Sequence, residues 1–146
     1  MAHEDLTSTL KALIGSSDSL CKLLLQEREA LISRDSQLLQ QIIDAKRDVC
    51  SCIEADTRRL GPTPLPEQIE AADSVHAQEL DVLHKSLLAL ADKAQEYNAV
   101  NGKIVHRSQQ SVRDLIHLIS GMDAELLYGN QGQTMASAQG TAIARA

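Results

Sequence analysis

The chain has 146 residues, a formal net charge of −6 and 43% hydrophobic residues, yet it contains no Phe or Trp, and Tyr97 and Tyr128 are its aromatics. That length holds one domain, and a core of Leu, Ile, Val and Ala suits helices packed side by side as an elongated bundle. The acidic balance, with a pI near 5.3, excludes nucleic acid, which selects clustered Lys and Arg, and disfavours an anionic membrane surface.

Three cysteines (Cys21, Cys50, Cys52) with no CxxC pair read as free thiols in a reducing compartment. The opening Met1-Ala2-His3-Glu4-Asp5 has neither the basic nor the apolar region of a secretory signal. No apolar run has the length of a membrane span. These features predict a soluble cytoplasmic protein without stable membrane insertion.

Apolar residues at helical spacing (Leu6, Leu10, Leu13, Leu20, Leu24, Leu31) predict a first helix over 3–33, its stripe widened by Ile14, Leu23, Leu25 and Ile32. Gly15-Ser16-Ser17 weakens it locally and predicts a kink without a break. Possible N-caps in Ser33-Arg34-Asp35-Ser36 open a second helix over 36–60, with Leu39, Ile42, Val49 and Ile53 inward. Gly61-Pro62-Thr63-Pro64-Leu65-Pro66 ends it, because each Pro removes a donor and disfavours helix in its predecessor. A short helix over 66–73 is possible before Asp73 or Ser74 caps the next.

The longest pattern follows. His76, Leu80, Leu83, Leu87, Leu90, Ala94, Tyr97, Asn101, Ile104, Ser108, Ser111, Leu115 and Leu118 alternate four- and three-residue steps, the seam of a coiled coil. A helix over 74–120 is then roughly 65–70 Å long, against roughly 40–45 Å for the first, at 1.5 Å per residue. Ser120-Gly121 ends it, and 122–146, rich in Gly, Gln, Ser and Ala, reads as a flexible tail. The expected fold is therefore all-α: an antiparallel three-helix bundle over 1–121, with a long third helix overhanging by roughly 20–25 Å, and a partner-binding tail. An overhanging amphipathic helix has an apolar stripe in need of another surface.

Sites for chemistry are sparse. Cys50 and Cys52, two residues apart, point to different sides of a helix, and the scattered His3, His76, His84, His106 and His117 have no metal-ligand spacing. Acidic pairs such as Glu27/Glu29 and Glu67/Glu70 read as solvated helix faces, and no Gly-rich loop follows a strand. No cofactor, metal or enzymatic activity is expected.

Two segments point to binding. In Tyr97-Asn98-Ala99-Val100-Asn101-Gly102 the seam phase runs through an Asn-Gly pair. Either Asn101 is a polar seam position that fixes register, or the segment is a softened point where the helix changes partners. Ser108 and Ser111 then make the seam polar before Leu115 and Leu118 return. Leu126-Leu127-Tyr128-Gly129 is an apolar cluster at the root of the tail, either a turn packing back on the bundle or, the preferred reading, a linear anchor.

Asn98-x-x-Asn101-Gly102-x-Ile104, Leu127-Tyr128-Gly129-x-x-Gly132-Gln133 and the terminal Ile143-Ala144-Arg145-Ala146 resemble the FlgN family of flagellar export chaperones. The resemblance departs at Asn130-Gln131, where an acidic residue is expected. It implies a cytosolic chaperone of the flagellar type III export pathway. Its clients would be the C-terminal helical regions of the hook–filament junction proteins FlgK and FlgL, kept unassembled and delivered to the export gate protein FlhA. Client binding would fall on Asn98, Asn101, Gly102, Ile104, Ser108, Ser111, Leu115 and Leu118. Gate binding would fall on Leu126, Leu127, Tyr128 and Gly129. The free protein is expected as a monomer or weak homodimer. A homo-oligomeric coiled-coil structural or adaptor protein is the alternative, because two overhanging helices could cover each other's stripe.

Overall fold

A computed structural model describes residues 3–120, all of whose regular structure is helical: α1 (His3–Ser33), α2 (Ser36–Leu60), α3 (Leu65–Glu70) and α4 (Ser74–Ser120). By Cα packing the chain divides into two units, Met1–Gly102 and Lys103–Ala146.

In the first unit, α1, α2 and the first part of α4 form an up-down-up bundle. Leu6, Leu10 and Leu13 of α1 meet Leu80 of α4 in a buried cluster, flanked by Ile53 and Leu60 of α2, Leu65 and Ile69 of α3, and Leu83 and Leu87 of α4. Further along, the Cys21 thiol donates to the Leu90 carbonyl at 3.5 Å, and Arg28 reaches Asn101. Residue numbers on α1 and α4 rise together, so these helices run parallel, and α2 runs back antiparallel to α1. The seam of α4 is buried or half-buried from Leu80 to Ile104, as its 3.5-residue period predicts.

Caps and clips fix the connections. Arg34 adopts a left-handed φ of 57°, and the Asp35 carboxylate accepts from the Leu38 amide at 3.0 Å, opening α2 after a tight turn. Gly61, at φ 78°, closes α2 by donating its amide to the Arg58 carbonyl. The Gln68 amide then donates to the Leu60 and Thr63 carbonyls, at 3.0 and 2.8 Å, and holds the proline segment against the start of α3. Asp73 accepts from the His76 amide at 3.0 Å and caps α4.

The first helix has no break, as expected, and three other expectations are corrected. α1 runs unbroken through Gly15-Ser16-Ser17, and the Ser19 hydroxyl donates to the Gly15 carbonyl at 3.0 Å. With Leu10, Leu13, Cys21 and Leu24 buried on either side, tertiary packing outweighs the low helix propensity of this triplet. Leu25 and Ile32 lie exposed, outside the buried stripe. The short helix is Leu65–Glu70, shorter than 66–73 at its end, since Ala71 and Ala72 donate back to Glu67 and Ile69 as the turn closes. His76 is exposed and pairs with Asp73 at the cap instead of entering the seam.

Candidate functional site

α4 carries two features, one in each unit. The first is a polar layer inside the bundle. Asn101 is 3% exposed. Its Nδ2 donates to the Leu24 carbonyl and to Glu27 Oε2, both at 2.8 Å, and its Oδ1 accepts from Arg28 Nε at 3.1 Å. This orientation of the amide is forced, because flipping it would set NH2 against a guanidinium and the oxygen against two acceptors. Glu27 Oε1 takes Lys46 Nζ of α2 at 2.9 Å. The side chains of Lys46 and Glu27 are 24% and 13% exposed, so the pair is largely out of water. The Arg28 guanidinium lies 5.4 Å from the Tyr97 ring centroid, a cation–π distance. Arg28 Nη2 is buried without a hydrogen-bond partner among the described residues.

Glu27 is thus not on a solvated face, which corrects that expectation; Glu29, Glu67 and Glu70 are exposed. Sequence reasoning missed Glu27, Arg28 and Lys46 as companions of Asn101. The available signal was position: Glu27 and Arg28 follow Leu24 by one turn, on the stripe that faces the seam.

The second feature is the helical face over 103–120. Val105, Val112 and Ile119 recur every seven residues and are exposed, and Leu115 and Leu118 beside them are 53% and 81% exposed. Ser108 and Ser111 are exposed as well, and the Ser111 hydroxyl donates to the Arg107 carbonyl of its own helix at 3.1 Å. Ile104 is half-buried.

Of the residues expected to bind a client, Ser108, Ser111, Leu115 and Leu118 therefore share the second unit with Ile104. Asn98 and Gly102 are exposed in the first unit, and Asn101 is engaged within the bundle. Leu126, Leu127, Tyr128 and Gly129 lie outside the described residues.

A hollow of about 310 Å³ between the starts of α1 and α4 is lined by Glu4, Thr7, Ser8, Lys11, His76 and Glu79, with Lys11 and Glu79 paired at 3.8 Å. No group of His, Cys, Asp or Glu among the described residues is placed to hold a metal ion. No helix among them is long and apolar enough to cross a membrane.

The family model for FlgN protein matches residues 1–136. The chain belongs to the FlgN family. No curated protein and no solved structure matches it. FlgN proteins are flagellar chaperones.

Proposed function

We propose that this protein is a cytoplasmic, non-enzymatic export chaperone that binds the C-terminal helical regions of FlgK and FlgL and delivers them to the gate protein FlhA. The exposed apolar face over 103–120 carries the reading. Val105, Val112, Leu115, Leu118 and Ile119 offer a client helix an i, i+3, i+4, i+7 surface. Covering the client's own amphipathic helix hides a surface that would otherwise assemble. Ile104, Ser108 and Ser111 belong to the same unit as this face, and the family resemblance adds Asn98, Asn101 and Gly102 of the first unit to the client-binding residues. Leu126, Leu127, Tyr128 and Gly129 form a separate docking element for the gate.

The test is a chain ending at Gly102, which retains the whole first unit. It is expected to keep the helical signal and cooperative unfolding of the bundle and to lose capture of the FlgK and FlgL C-terminal helices. Capture at full affinity by the shortened chain sinks the proposal.

A further inference from the structure

The apolar packing of α4 on α1 is nearly periodic. Leu80, Leu83 and Leu87 pack with Leu6, Leu10 and Leu13, and the sequence continues the pattern through Leu90 and Ala94 on α4 and Leu20 and Leu24 on α1. Sliding one helix past the other by a heptad, about 10 Å at 1.5 Å per residue, would again set Leu against Leu. Cores tolerate such exchanges when volume and pattern are kept, so aliphatic packing alone discriminates poorly between registers.

The polar layer has no such repeat. In the observed register Asn101 satisfies the Leu24 carbonyl, Glu27 and Arg28 at once, while Glu27 is held from the other side by Lys46. A heptad slip sets Ala94 or Ser108 opposite Glu27 and Arg28 and moves Asn101 among apolar side chains. The amide, the carboxylate and the guanidinium then lose their mutual partners at a site that is mostly dry. Groups buried without partners cost far more than the net gain of pairing them.

We infer that the Lys46–Glu27–Asn101–Arg28 layer is a register key: it makes one alignment of α4 on α1 the only acceptable one. The role is specification, as for a buried Asn in a coiled coil, where one polar seam residue selects the register at some cost in stability. It does not depend on which client the protein carries. It assigns Asn101 a positioning role that a contact with a client would not require.

Spin-label distance measurement on the full chain tests this. In a background of Cys21→Ala, Cys50→Ser and Cys52→Ser, labels at Ala12→Cys of α1 and Lys93→Cys of α4 occupy exposed positions well separated along the bundle. The parent is expected to give a single distance. Replacing the layer wholesale (Glu27→Leu, Arg28→Met, Lys46→Leu, Asn101→Leu) removes the polar penalty in every register. That variant is expected to stay helical, with a Tm at or above the parent's, while its distance distribution gains peaks displaced by roughly 10 Å. A single unshifted peak overturns the inference. So does loss of the fold, which would make the layer a source of stability and not of register.

Discussion

Asn101 Nδ2 and Glu27 Oε2 lie 2.8 Å apart, and the second oxygen of the same carboxylate holds Lys46 at 2.9 Å. One side chain of α1 thereby joins α2 and α4 at the end of the first unit. Removing it alone is the damaging change, because Asn101 and Lys46 both lose an acceptor in a largely dry site. Glu27→Ala is expected to destabilise the bundle by about 2 kcal/mol, given that a buried charged hydrogen-bond partner is lost but Lys46 can still reach water. The corresponding fall in Tm is roughly 6–10 °C for a chain of this size. Thermal unfolding followed by circular dichroism measures it, and a fall of under about 2 °C would contradict the geometry.

Gly102 supplies a second prediction. It sits inside an unbroken helix, is exposed, and a Cβ built on it meets nothing within 4 Å. Gly102→Ala is therefore expected to stabilise the protein by about 0.5–1 kcal/mol, the ordinary difference between the two residues in a helix interior. Client affinity is expected to stay within about threefold, since α4 is already helical at this point. Stabilisation together with a tenfold or greater loss of affinity would show that binding uses the conformational freedom of this glycine.

How much of this could be read from the sequence differs by element. The 3.5-residue alternation located α4 and its buried seam as far as Ile104, and turn chemistry at Asp35, Gly61 and Asp73 located its neighbours. Periodicity reports which face of a helix is apolar and turn chemistry reports where a helix starts and stops, and both are local in the sequence. The polar layer was harder. Asn101 stood out as a polar residue in an apolar seam, but Glu27, Arg28 and Lys46 look like ordinary surface charges, and their partners lie 19 to 74 residues away in sequence. Pairings over such separations are fixed by how helices dock, which no local pattern records. At Gly15-Ser16-Ser17 local propensity is low, yet α1 continues through the triplet without a break, as the matching heptad phase on its two sides predicts, with leucines buried on either flank.

Cys21 gives a pH dependence. Burial, seconded by the nearby Asp18 carboxylate and opposed by Lys93, raises its pKa above the ordinary thiol value of 9.0. A group whose folded pKa is raised adds stability that is complete below its unfolded pKa and is lost as pH rises through the folded one. Stability is therefore expected to decline above about pH 9, and the decline is expected to be shallower in Cys21→Ala. The same protection predicts that a thiol reagent at neutral pH modifies exposed Cys52 well before Cys21, which is 5% exposed. Urea midpoints across pH 7–10 and timed labelling with mass analysis check both expectations. Equal labelling rates for Cys21 and Cys52 would show that the α1–α4 contact at Leu90 opens freely.

The last prediction separates the proposed client surface from the proposed gate-docking element. Leu115 and Leu118 are more than half exposed, so replacing both with Glu removes little buried area, and surface changes of this type stay within about 0.5 kcal/mol. Stability of Leu115→Glu/Leu118→Glu is accordingly expected to match the parent's. The effect on binding is expected to be severe, because a client helix covering this face would have to desolvate two carboxylates without partners. Affinity for the FlgK and FlgL C-terminal helices should fall at least about a hundredfold, while docking to FlhA is retained. Tyr128→Ala should show the converse, weakened docking with client capture intact. Calorimetric titration of each of the two variants against FlgK, FlgL and FlhA gives six affinities. Loss of both activities together in either variant would mean that client and gate compete for one surface.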